Sequence, residues 1–207
     1  MAIRLRFNKT DRDLKGCSKM WGCPDLPDAF DYPEVAVNDD GELVDDPMTF
    51  ICQIRLADIA PFDKENRLPH EGMLYFFASM DYFMGNFDAL AQPGMGEWDM
   101  RYYRVLYSPT SDDLHTHSIV FDDGTEYGLK AEEITFEECG DKEEGFKILG
   151  RPYLDEIEEQ YQGWMSLLQI DEDDDWGLRF FDCGMLCFVM PCGSFDEKMV
   201  KCYLHSF

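Results

Sequence analysis

Gly72-Met73-Leu74-Tyr75-Phe76 returns as Gly184-Met185-Leu186-Cys187-Phe188, and this echo governs how the 207-residue chain is read. Two further strings recur around it in the same order. Gly22-Cys23-Pro24-Asp25-Leu26 is matched by Gly150-Arg151-Pro152-Tyr153-Leu154, and Ile51-Cys52-Gln53-Ile54 by Leu167-Leu168-Gln169-Ile170. As patterns these are G-x-P-x-L, aliphatic-x-Q-I and G-M-L-x-F. The gaps between strings differ in the two copies, as loop insertions into a duplicated unit produce. Two pseudo-symmetric repeat halves are therefore expected, about 16–108 and 145–204, within a single domain over 1–207.

The strings are short apolar runs. Met48–Leu56, Met73–Phe77, Ser166–Ile170 and Met185–Met190 read as strands buried on one or both faces. Tyr102–Tyr107 and Leu114–Phe121 are further strand candidates. Asp39-Asp40-Gly41 and Asp122-Asp123-Gly124 mark tight turns. Helices are few: one from Pro152 in its first turn through Leu154, Ile157, Tyr161 and Trp164, one over Ala131–Glu138 with Ile134 inward, and a turn over Leu56–Ala60 before Pro61. The predicted fold is mainly β with an α+β tendency, roll-like antiparallel sheets in two halves. Gln53 and Gln169 are expected to satisfy backbone groups where the halves meet, since a buried amide needs partners.

Eighteen Lys and Arg stand against 43 Asp and Glu, a net charge of −25. Such a chain repels nucleic acid and anionic membrane alike, which excludes both as electrostatic partners. With 45% hydrophobic residues it can still bury a substantial core. The segment Met1–Asn8 has basic residues but no apolar stretch of the signal-peptide kind, and no apolar run is long enough to span a bilayer. The eight cysteines are then expected as reduced thiols of a cytoplasmic protein, with Cys52, Cys183 and Cys187 buried in apolar segments. No C-x2-C pair announces a zinc cluster.

These strings resemble the YwqG-like family, a bacterial group whose domain is of unknown function. The likeness runs through Ser18–Pro27, Phe50–Ile54, Gly72–Phe77, Leu167–Asp171, Trp176-Gly177 and Cys183–Leu186. The resemblance implies a mainly β, roll-like fold with pseudo-symmetric halves. It also implies an immunity role, because some relatives are encoded near secreted toxins. Gly22, Pro24, Gln53, Gly72, Gly150, Pro152, Gln169, Trp176 and Gly184 are its structural positions. Cys23 and Leu178 depart from the family pattern.

Chemistry is sparsely signalled. Asp171, Asp173, Asp175 and Asp182 fall at positions one, three, five and twelve of a loop, a spacing that suits Ca2+ or Mg2+, although Trp176 stands where such loops place glycine. No other cofactor is implied. His115 and His117 would share one face of a strand and offer a pair of nitrogens to Zn2+ or Ni2+, with Asp112, Asp113 or Asp122 near. Ser18, Ser166 and Ser194 lack a nucleophile-elbow context, and Gly94-Met95-Gly96 is no P-loop, so no catalytic residue is assigned. The charge is the stronger clue. Residues 131–160 hold eleven acids and three bases, and Glu132, Glu133, Glu137 and Glu138 are the candidates for contacting a basic protein or toxin by long-range attraction.

Overall fold

The computed structural model describes residues 1–121, 124–193 and 195–206. Its first half contains β1 (Ala2–Lys9), β2 (Lys19–Met20), β3 (Asp25–Pro27), β4 (Glu34–Asp39), β5 (Glu42–Pro47), β6 (Thr49–Arg55), α1 (Leu56–Ile59), β7 (Met73–Ala78), β8 (Gly96–Glu97) and β9 (Tyr103–Ser108). There follow β10 (Leu114–Thr116), β11 (Glu132–Cys139), β12 (Lys147–Ile148), α2 (Asp155–Gln160), β13 (Trp164–Ile170), β14 (Met185–Pro191) and β15 (Lys201–His205). The molecule is mainly β, and the short helices serve as connectors.

Eleven strands form one strongly curled antiparallel sheet in the order β8-β15-β14-β13-β12-β1-β11-β2-β6-β7-β9. Reading outward from its centre, β1, β12, β13, β14 and β15 lie on one side, and β11, β2, β6, β7 and β9 on the other. The repeated strings occupy matching strands. The central pair is exchanged: β1, which opens the chain, pairs with β12 of the second half, while β11 pairs with β2 of the first. Equivalent backbone bonds fix the exchange, from Leu5 N to Phe146 O and from Ile134 N to Ser18 O. Each structural repeat thus extends beyond the strings to a first strand reading A-x-x-aliphatic-x-F, Ala2–Phe7 in one copy and Ala131–Phe136 in the other.

These exchanged strands carry opposite charge. Arg4 lies opposite Glu137 and Lys9 opposite Glu132, and Arg6 reaches Glu137 at 2.6 Å. Opposite charges across a ladder stabilise it, whereas like charges directly opposite oppose pairing. A basic β1 beside an acidic β11 therefore favours this intrachain arrangement over β11 pairing with its own kind.

The expected helix over Ala131–Glu138 is corrected by this arrangement: the segment is strand β11. Its acids suit either state, but alternation puts Glu132 and Ile134 inward and Thr135 outward, and β1 and β2 supply ladder partners on both edges. Leu114–Phe121 is strand only to Thr116. His117 N still donates to Pro24 O, one step further along the same register, and after it Phe121 N donates to Thr125 O within its own turn. The turn assigned to Asp122 and Asp123 lies outside the described residues. Trp164 belongs to β13 and not to the helix, which ends by Tyr161 ahead of Gly163 at φ 79°. Cys183 is exposed, unlike buried Cys52 and Cys187.

Strands β7 and β14 are buried on both faces. Leu74, Phe76 and Ala78 join Leu186, Phe188 and Met190 in a core shared by the halves, and the equivalent rings of Phe76 and Phe188 meet edge to face at 5.2 Å. On the reverse face, Met73, Tyr75 and Phe77 pack under the β4–β5 hairpin, and Met185, Cys187 and Val189 pack under α2. The period-two alternation of a single string thus feeds two different cores.

The glutamines act identically in each half. The Gln53 amide oxygen accepts from Asp25 N at 2.9 Å and its nitrogen donates to Cys17 O at 2.9 Å; Gln169 accepts from Tyr153 N at 2.9 Å and donates to Gly145 O at 2.8 Å. Both are fully buried. The bonds lie within each half and not at the junction expected from sequence. They pin the residue after Pro24 and Pro152, so Pro152 serves the G-x-P turn while α2 starts only at Asp155. Gly22 and Gly150 precede those turns at φ 72° and 87°, and a Cβ there would sit 2.6 Å from Ala131 Cβ and Ala2 Cβ, the first residues of the exchanged strands' motif. Gly150→Ala is expected to cost about 1–2 kcal/mol from the left-handed backbone alone, read as a lower urea midpoint with unchanged slope.

Candidate functional site

The most elaborate polar cluster surrounds Asp25, which is fully buried. The Lys19 ammonium donates to its Oδ2 at 2.8 Å, as do Gln53 Nε2 at 2.8 Å and Gly16 N at 2.9 Å, and Thr116 Oγ1 donates to Oδ1 at 2.7 Å. Burial pushes this carboxyl up, but hydrogen bonds from Lys19 and Thr116 and the Lys19 charge outweigh it and hold it below the usual range. With its oxygens occupied and no solvent access, Asp25 is an anchor that ties β2, β3, β6 and β10 together. Tyr75 closes the same site by donating its hydroxyl to Asp25 O at 2.8 Å.

The second half reproduces the lysine but not the acid. Lys147 occupies the place of Lys19, opposite Gln169 as Lys19 is opposite Gln53, while Tyr153 stands in the place of Asp25. Lys147 is almost wholly buried and donates to Arg151 O at 2.7 Å and Asp141 O at 3.1 Å. Burial pushes its amine down to about 8.

The four loop aspartates read as metal ligands are not drawn together. Asp171 accepts from Glu172 N, Asp173 from Trp176 N, Asp175 pairs with Lys9 at 3.1 Å, and the backbone of Asp182 is bonded to Ser206 Oγ. Among the described residues no group of three or more His, Cys, Asp or Glu is placed to hold a metal ion. The acid that organises this loop is Glu172, whose Oε1 takes Phe180 N at 2.8 Å and Gly184 N at 3.1 Å. Trp176 fills the centre of an aromatic cluster with Phe7, Trp21 and Phe146 and donates to Glu132 at 3.2 Å. His115 pairs with Asp28 at 3.2 Å, and His117 lies beyond the strand end.

The four glutamates of β11 all have partners within the chain. Glu132 holds Trp176, Glu133 pairs with Arg12, Glu137 with Arg6, and Glu138 with Lys64 at 2.5 Å. Alternation also divides them between two faces of the strand.

Acid free of such pairing concentrates in the β4–β5 hairpin. Between Lys19 and Arg55 the chain has nine acids and no lysine or arginine, and six of the nine are Glu34, Asp39, Asp40, Glu42, Asp45 and Asp46. Asp40 and Gly41 turn it at φ 48° and 96°, the two positive angles of a type I′ turn that Asp-Gly supplies. Val35 and Val37 anchor one face on Tyr75 and Phe77, and Tyr32 clamps the base through Met48 O at 2.9 Å. The outer face presents Glu34, Ala36, Asn38, Leu43 and Asp45, all exposed, with Leu43 at 79%. Asp39 lies directly opposite Glu42, and among the described residues none of the six acids makes an ion pair. Burial and the neighbouring Asp81 raise the Asp46 carboxyl. The Asp39-Asp40-Gly41 turn alone does not signal this acidic surface. The uninterrupted absence of basic residues over 20–54 was the available signal.

No helix among the described residues is long and apolar enough to cross a membrane. A family described as Domain of unknown function (DUF1963) matches residues 18–143, more than half of the chain and the whole of the segment from β2 to β11. No curated protein matches.

Proposed function

This chain belongs to the DUF1963 family, a domain of unknown function, and we propose that it is a non-catalytic cytoplasmic protein that binds a basic protein partner through the acidic β4–β5 hairpin. The observation that carries the reading is Asp39 facing Glu42 at a tip where, among the described residues, neither makes an ion pair. Like charges directly opposite on a hairpin destabilise it, so this tip lowers the stability of the free protein. A basic partner supplies the missing charge. The field of a chain at −25 would also steer such a partner during encounter and raise its association rate. The resemblance to YwqG-like proteins extends the reading to an immunity role, in which the acidic surface occupies the basic cleft of a toxin.

The test is affinity capture from host lysate and secretome at low ionic strength, with the eluate followed by mass spectrometry as salt is raised. One basic protein leaving over a narrow salt range is the expected result, because exposed charge pairs are screened as the Debye length shortens. Retention only of proteins whose binding ignores salt would refute the electrostatic reading.

A further inference from the structure

An exposed aromatic patch lies on the main core at Phe83. Phe87 is 72% exposed and Phe181 is 49% exposed, and both rings lie against Tyr82, at 5.6 Å and 6.3 Å. Beneath them is buried Phe83, 5.4 Å from Phe181. Exposed Asp88 and Asp182 adjoin the two phenylalanines in sequence. Solvated phenyl rings gain little for the free protein, and a contiguous apolar group rimmed by charge is a mark of an interaction site.

The backbone supplies an independent observation. Phe181 has φ 66° and Cys183 φ 53°, so two non-glycine residues within three positions adopt the left-handed region. A bulky residue held there is strained, and such strain persists only where the surroundings enforce it. Here they do: Glu172 Oε1 takes the amides of Phe180 and Gly184, Ser206 Oγ bridges Asp182 N and O, and Arg179 N donates to Phe83 O at 2.8 Å. The loop thus holds Phe181 out of the core in a fixed position. Presenting an aromatic ring already ordered reduces the entropy lost on binding.

We infer that Phe87, Tyr82 and Phe181 form the apolar centre of an interface whose occupant is a basic polypeptide bearing an aromatic or large aliphatic residue between lysines or arginines. Exposed Asp88 and Asp182, next to the two phenylalanines in sequence, and the net charge of −25 select that occupant over a second copy of this chain, which they repel. The inference rests on the proposed binding of a basic protein and adds the apolar determinant that would give the contact its residence time, charge chiefly setting its rate.

The probe is a pair of fluorescent synthetic peptides of equal lysine content, one with tryptophan at its centre and one with serine, titrated at low ionic strength. The tryptophan peptide should bind the natural protein roughly tenfold more tightly, as loss of a central aromatic anchor commonly costs. That preference should vanish in Phe87→Ser and in Phe181→Gly. Phe181→Gly should melt close to the natural protein, because relief of the left-handed backbone strain offsets the lost contacts with Tyr82 and Phe83; folding loss is thereby separated from binding loss. Equal salt-sensitive binding of both peptides would overturn the patch and leave the acidic-surface reading standing. Binding of neither would sink that reading, and the patch with it. A dimer in sedimentation that Phe87→Ser dissolves would make the occupant a second copy and overturn the inference.

Discussion

Replacing Asp25 with alanine is expected to destabilise the protein by about 3–5 kcal/mol, the cost of removing one member of a buried ion pair. The variant strands the Lys19 ammonium, which is 5% exposed, and deprives Gln53 Nε2, Gly16 N and Thr116 Oγ1 of their acceptor. For a chain of this size the melting temperature should fall by on the order of 10 °C. Removing both charges with similar volume, Lys19→Met together with Asp25→Leu, should recover the part of the loss that comes from the stranded ammonium, since an apolar pair leaves no buried charge unmatched, while the three neutral donors stay without their acceptor. The pH dependence has a definite sign. The folded carboxyl titrates below its ordinary value, so its contribution is complete above the ordinary carboxylate range and disappears as pH falls through the lowered folded value. The acid limb of the natural protein's stability curve should flatten in the double variant.

Lys147→Met is expected to do the reverse and stabilise the protein by up to about 3 kcal/mol at pH 7, given 1.36 kcal/mol for each unit by which a folded-state pKa is displaced. Burial pushes the Lys147 amine down to about 8 from an ordinary 10.5, and Tyr153 stands where the first half has the Asp25 carboxylate. A lysine with a depressed folded pKa binds its proton more weakly in the folded state, so the cost is present below about 8 and is relieved as pH rises toward 10.5. Chemical denaturation at pH 7 and pH 10 checks both parts: the advantage of the Lys147→Met variant is greatest at the lower pH and shrinks at the higher. The carbonyls of Asp141 and Arg151 lose a donor in the variant, which makes about 3 kcal/mol the upper bound. A variant less stable at pH 7 would show that those two bonds outweigh the buried charge.

The central strands of each half were legible because their signal is local. Runs such as Phe50–Ile54 and Met185–Met190 are apolar on both faces, and no competing period is present. Ala131–Glu138 was misread for the opposite reason. Its acids are common in helices, and only the position of β11 between β1 and β2 makes the alternation of Glu132, Ile134 and Phe136 decisive. The exchange of first strands is hidden by distance in the chain, although Ala2–Phe7 and Ala131–Phe136 share a six-residue pattern at the ends of the repeats. The glutamines announced their buried amides. That Gln53 meets Asp25 and Gln169 meets Tyr153, within each half and not where the halves meet, required the fold, and the consequence for Lys19 and Lys147 required the register. The loop acids looked like ligands by spacing alone; in the fold Asp171 and Asp173 accept from backbone amides and Asp175 pairs with Lys9.

The most direct test of the account compares the natural protein with a variant carrying Asp39→Asn, Asp40→Asn, Glu42→Gln and Asp45→Asn as immobilised baits in the salt-stepped capture. Asparagine tolerates the turn at position 40, and loss of the Asp39 and Glu42 repulsion leaves the hairpin at least as stable. A basic protein held by the natural chain at low salt should be released from the variant at much lower salt, with slower association measured on the purified pair. Equal retention on both baits across the whole salt range would contradict it.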